Sequence, residues 1–261
     1  MERTATGPVA AASPPPAGTP LSDGTAAVFP ALLDGMPRQR GATAPAPVPL
    51  EVRPLPLGAR LWRLLPTPAG TPFTFAYAAV LALTSALAAV AAPQLMNVLY
   101  QNSSTDVSHL VRMPAQVLLA SALWIAGGIF SPYTAAFVLV LTALERRIGG
   151  ARAACVFLAG HVLATLATEI PVGLAVLFGH LPASSLHRLD YGISFGVAAS
   201  IGALAGLLGP WLRWPLLTVV GGLLLSDLAE FVDPMTDWGH LIALTIGVAS
   251  WRFVRRWARA A

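Results

Sequence analysis

Apolar and polar positions divide the chain into two unlike parts. Up to about residue 58 no helical or strand period appears, and Pro, Ala, Gly and Thr dominate, as in "ASPPPAGTP" and "GATAPAPVPL". Beyond that point long apolar runs alternate with short charged clusters. A membrane-crossing helix needs roughly 20 mostly apolar residues, with about 17 tolerated. The run 73–92 meets that length without a charge and predicts a first span. The uncharged run 113–144 is divided by Ser131-Pro132. Its first piece, 115–130, predicts an interfacial or re-entrant segment, and 132–146 predicts the second span. Further spans are expected over 153–178, 191–212, 210–230 and 238–253. The fold class is therefore all-α, a polytopic bundle of six transmembrane helices.

Composition sharpens this pattern. Hydrophobic residues make up 56% and charged residues 11% of the 261 residues, against about 25% charged in soluble domains. Too little charge remains to cover a water-facing surface. Most of the 23 prolines lie at or before Pro72. Residues 1–58 cannot bury enough apolar surface to offset the entropy of ordering, which predicts a disordered tail. No apolar stretch suited to a signal peptide follows the charged start. Residues 59–72 contain Trp62 and several Leu beside Arg60 and Arg63, as a juxtamembrane interfacial segment does. The membrane domain is expected over 73–256.

The formal charge is +4, and every one of the 16 basic residues is Arg. The arginines border the apolar runs, where lipid headgroups and topology account for them, so nucleic acid is not an expected partner. Arg146, Arg147, Arg152, Arg213, Arg252, Arg255, Arg256 and Arg259 fall in loops of one side. Most acids fall on the other side, including Asp106, Glu169, Asp190, Asp227, Glu230, Asp233 and Asp237. Six spans with both termini cytoplasmic in the plasma membrane satisfy the positive-inside rule at every loop. Cys155 has no second cysteine to pair with, and its apolar neighbours predict a packed core thiol. The five histidines show no metal-binding spacing, so no metal and no cofactor is expected.

Two polar residues stand at matching depth in this topology. Ser194 lies four residues past Asp190, and His240 lies three past Asp237. Spans four and six run in the same direction. Gly192, Gly196 and Ser200 form a small-residue stripe on one, and Gly239, Ala243 and Gly247 repeat it on the other. Such stripes let membrane helices approach closely, which brings a Ser194–His240 hydrogen bond within reach. A neutral imidazole can take a serine proton, the minimal unit of nucleophilic catalysis. Gly192 and Gly196 are the flanking positions that support the loop and an oxyanion. "GISFG" also fits the G-x-S-x-G elbow of soluble hydrolases, but that motif needs a preceding strand, which a membrane helix does not supply.

Residues 73–256 resemble the rhomboid intramembrane serine proteases, in particular divergent rhomboid-like proteins of actinobacteria. "LERRIGGAR" (144–152) resembles the segment after that family's second helix. "GISFG" (192–196) resembles its G-x-S-G, with Ser194 at the nucleophile position, and "GHLIALTIG" (239–247) puts His240 at the base position. The resemblance implies six helices and a Ser–His dyad. Two positions depart from it. Counted back from Glu145, the positions of the family's oxyanion His and Asn fall near Ile129 and Tyr133, and no His or Asn occurs from 110 to 144. Phe195 stands where the family has its second Gly. Loss of one oxyanion donor costs about 100- to 1000-fold in rate; Ser131, Tyr133 and Thr134 are the nearby replacement donors.

Two functions fit. One is an intramembrane serine protease whose substrates are membrane-anchored proteins. The alternative is an inactive rhomboid-like protein that binds or escorts membrane helices. A transporter would need polar residues mid-span; His161 is the main candidate, and it reads as a structural histidine.

Overall fold

The structure is a computed structural model, and it describes residues 64–261. The tail 1–58 and residues 59–63 of the juxtamembrane segment lie outside that range. All regular structure among the described residues is helical. The helices are α1 (Pro72–Val90), α2 (Pro93–Asn102), α3 (Val107–Arg112), α4 (Pro114–Ser121), α5 (Pro132–Ile148), α6 (Gly150–Leu177), α7 (Ser194–Ala205), α8 (Pro210–Glu230), α9 (Pro234–Ala249) and α10 (Trp251–Arg259). A short 3₁₀ helix, Ala183–His187, precedes α7. α1, α5, α6, α7, α8 and α9 form a six-helix polytopic membrane bundle, with α2–α4 between α1 and α5.

Local chemistry sets these boundaries. Six helices carry Pro in the first turn, where its missing N–H costs nothing. Asp106 caps α3, Ser131 caps α5 and Asp233 caps α9. Gly149 separates α5 from α6 at φ 84°, a conformation a side chain would strain.

α1, α6 and α8 are long and apolar enough to cross a membrane. α5 has 17 residues and α9 has 16, continued after Ser250 by α10. α7 differs from the span expected over 191–212: it has 12 residues, and every one from Phe195 to Ala205 is buried. A helix this short leaves backbone groups inside the bilayer, which is tolerated only where protein satisfies them. Arginines do so at its C-terminus. Arg213 Nε donates to Ala205 O at 2.9 Å, and Arg255 Nε donates to Gly206 O at 2.9 Å. α7 is thus the core around which α5, α6, α8 and α9 pack. On α1 only Thr74 and Leu81 are buried, and on α8 only Leu224, so both present broad apolar faces to their surroundings.

The two small-residue stripes behave differently. Gly239, Ala243 and Gly247 face α7: a Cβ on Gly247 would fall on Ala199 O, and one on Gly239 would fall on the Phe195 ring. The opposing face of α7 is not the expected one. Gly196 packs on the Phe157 ring of α6, and the Ser200 hydroxyl returns to Gly196 O at 2.7 Å. Ala199, Gly202 and Ala203 meet α9 instead. Small residues cover most of α7 apart from the Val197, Ile201 and Leu204 face, so more than one stripe can be drawn along it.

The ends of the bundle are chemically distinct. Arg146, Arg152, Arg213 and Arg255 bond to carbonyls at one end. There Glu145, the acid of the "LERRIGGAR" segment, caps α1. Its carboxylate accepts from Phe73 N–H at 3.0 Å, and from Thr74 N–H and hydroxyl at 2.7 Å each. The other end holds Arg188 among acids. Cys155 is not a core thiol; it is exposed on α6. Apolar neighbours imply burial in water, whereas a membrane helix can turn such a face outward.

Candidate functional site

The site forms where the segment before α7 meets α9 and the start of α5. That segment is held by backbone hydrogen bonds. Gly192 N–H donates to Ser121 O at 3.1 Å, and Ile193 N–H to Trp124 O at 3.2 Å. Thr105 N–H donates to Asp190 O at 2.8 Å, and Asp190 N–H to Ser104 Oγ at 3.1 Å. Gly192 adopts φ 129° to make this approach. The end of α4 and the segment after it therefore serve as a rail for the chain leading into Ser194. Trp124 Nε1 ties that rail to Ser103 Oγ at 3.0 Å.

Ser194 is the first residue of α7, half-buried, and not four residues into a helix. His240 is buried two turns inside α9, because Asp233 and Pro234 start that helix before Asp237. The start of α7 and His240 are nevertheless neighbours: the Phe195 ring, next to Ser194, meets the His240 ring edge-on with centroids 5.2 Å apart. Phe195 is buried and packs over Gly239. Its bulk goes toward α9, into space that the absence of a Cβ at Gly239 leaves open.

The expected Ser194–His240 hydrogen bond is not formed. His240 Nε2 lies 3.2 Å from Tyr133 Oη, and the two rings stack with centroids 5.3 Å apart at 21°. His240 Nδ1 is buried without a hydrogen-bond partner among the described residues. Of the other nearby donors, Ser131 Oγ accepts from Tyr133 N–H, and Thr134 Oγ1 is buried without a partner. A cleft of about 320 Å³ between α5 and α8 runs along Tyr133 and is also lined by Ile201, Leu224 and Asp227.

A second Ser–His contact was not foreseen. Ser121 Oγ lies 3.0 Å from His161 Nε2, and both residues are buried. The same nitrogen lies 3.1 Å from Leu118 O. This pair fastens the end of α4 to α6, below the rail that holds Gly192. No sequence spacing connects residues 121 and 161, so only the fold brings them together.

Arg188 organises the acidic end. It meets Glu169 at 2.7 Å, Asp233 at 3.1 Å and Asp190 at 3.9 Å, and donates to Thr236 Oγ1 at 3.1 Å. One guanidinium thus joins α6, the segment before Ser194 and the start of α9. Burial pushes the Asp190 carboxyl up, against the opposing pull of Arg188. Burial works against the Arg188 cation too, but its hydrogen bond to Glu169 and the surrounding carboxylates outweigh it and raise its pKa. Asp106 shows the reverse balance. Burial raises it, but hydrogen bonds with the His109 ring and N–H and with Ser104 hold it below the usual carboxylate value. Among the described residues no group of three or more His, Cys, Asp or Glu is placed to hold a metal.

The model of a family described as rhomboid-like protein matches residues 69–260. No curated protein and no solved structure matches the chain.

Proposed function

The chain belongs to the rhomboid-like protein family, and from that premise we propose that it is an intramembrane serine endopeptidase acting on membrane-anchored proteins. The observation that carries this reading is the level contact between the start of α7 and His240, through Phe195 over Gly239. Ser194 opens a buried helix, where the first N–H groups have no intrahelical acceptor and favour negative charge. Ser194 Oγ attacks the scissile carbonyl, and His240 takes the hydroxyl proton and returns it to the leaving amine. For this, His240 Nε2 exchanges Tyr133 for Ser194 as its partner. The released Tyr133 hydroxyl then donates to the oxyanion together with the Ser194 N–H, in place of the absent His and Asn. The cleft between α5 and α8 admits the substrate segment. The proposed domain spans 73–256, with 1–58 as tail and 59–72 as juxtamembrane segment. The arginine-bearing end faces the cytoplasm of the plasma membrane with both chain termini, as the charge distribution favours.

One observation favours a second reading, a rhomboid-like protein that binds membrane helices without cutting them: Tyr133, not Ser194, bonds to His240. A serine-directed fluorophosphonate separates the two. Labelling that disappears in Ser194→Ala and in His240→Ala supports the protease. Folded wild type that takes no label supports the binding protein.

A further inference from the structure

The arginine-bearing end carries a second feature, formed by α6, α9 and α10 on the side of α7 away from the cleft. A groove of about 220 Å³ is lined by Cys155, Ala159, Ile246, Phe253 and Trp257, with Ser250 where α9 gives way to α10. Every one of these side chains except the serine is apolar or a thiol. A groove of this kind on a membrane helix bundle suits hydrocarbon, and here one end of it is marked by cations.

Three arginines border that end. Arg152 Nη1 donates to Trp257 O at 3.2 Å, so its guanidinium bridges α6 and α10 beside the groove. The Arg252 guanidinium lies over the Phe253 ring, 5.5 Å from its centroid. Arg256 is exposed on the turn between Phe253 and Trp257. Among the described residues none of the three meets a carboxylate, because all ion pairs there lie at the opposite end of the bundle. Glu145, the acid nearest in sequence, is buried and committed to the start of α1. Arg252 and Arg256 stand one turn apart on α10, beside the groove residues Phe253 and Trp257, and Arg152 reaches the same helix from α6; among the described residues no carboxylate pairs with these three cations. Guanidinium groups bind phosphate through paired N–H donors, and the apolar lining of the groove suits a hydrocarbon chain.

We propose that this groove is a binding site for one anionic phospholipid, with its phosphate held by Arg152, Arg252 and Arg256 and an acyl chain lying along Cys155, Ala159 and Ile246. The lipid packs against α6, α9 and α10 together and seals the break at Ser250. The site is independent of the protease reading, since none of its residues takes part in that chemistry. A zwitterionic lipid fits less well, because its own cation sits beside the arginines.

The chain's single cysteine is the reporter. Full-length protein is placed in nanodiscs of phosphatidylcholine alone or with phosphatidylglycerol, and the rate of Cys155 labelling by uncharged N-ethylmaleimide is measured. Phosphatidylglycerol is expected to slow labelling several-fold. In the Arg252→Gln/Arg256→Gln variant, both at exposed positions, labelling is expected to proceed equally in the two lipids. Native mass spectrometry supplies the second measurement. Wild type retains phosphatidylglycerol in preference to phosphatidylcholine, and each arginine removed lowers retention about fivefold. Equal labelling of wild type in both lipids overturns the proposal. So does slowing that persists in the double variant, which is a general effect of surface charge. Protection already complete in lipid-free detergent also overturns it, because a second copy or another helix then covers the groove.

Discussion

In the proposed mechanism Tyr133 is the residue on which the chemistry turns. Its hydroxyl holds His240 Nε2, and its ring stacks on the imidazole. Tyr133→Phe keeps the stacking and removes only the hydroxyl. As the oxyanion donor, Tyr133 predicts a fall of about 100-fold in fluorophosphonate labelling or turnover, with thermal stability little changed. An increase in labelling contradicts that role and makes the hydroxyl a restraint on His240. Asp106 allows a prediction on pH. Its carboxyl sits below the ordinary value, so it contributes stability that is present above the unfolded pKa of about 3.9. That contribution is lost as pH falls through the lower folded value. Melting temperatures in detergent should therefore fall more steeply with acid below about pH 4 in wild type than in Asp106→Asn.

At the scale of elements, the close pair of α7 and α9 depends on exchanged volume. Phe195 replaces a small residue of the related motif, and Gly239 leaves room for its ring. Gly239→Ala should destabilise by about 1–3 kcal/mol through overpacking, and Phe195→Ala in the same chain should recover part of that loss. A double-mutant cycle on thermal or denaturant unfolding measures the coupling. Glu145 is the second test. Glu145→Ala leaves two N–H groups and a hydroxyl of α1 without their acceptor and should cost more than about 4 kcal/mol, since three bonds are lost and hydrogen bonds to charged groups contribute about 1.5–3 kcal/mol each. The sequence makes some elements legible and others not. Long, mostly apolar runs mark α1, α6 and α8, and Ser131-Pro132 marks the start of α5. The sequence overstates α7 because apolar loop residues at 191–193 and 206–209 extend its run while its helix covers only 194–205. α2, α3 and α4 are too short for a 20-residue hydropathy signal. Ser194 and His240 stand out by type and depth. The Tyr133–His240 and Ser121–His161 contacts do not, because each joins residues far apart in sequence.

For the whole molecule, charge and depth belong to one design. Arginines satisfy carbonyls at one end, Arg188 gathers acids at the other, and a fully buried short helix carries Ser194 between them. Restraint of the segment before Ser194 by Ser104, Thr105, Ser121 and Trp124 makes the start of α7 rigid, as a preorganised site requires. The central claim is that Ser194 is a nucleophile activated by His240. Fluorophosphonate labelling of the folded, membrane-reconstituted chain, followed by mapping of the labelled residue, tests it most directly. The predicted result is a single adduct on Ser194 that is absent in His240→Ala; no adduct on folded wild type, or one that survives unchanged in His240→Ala, contradicts it.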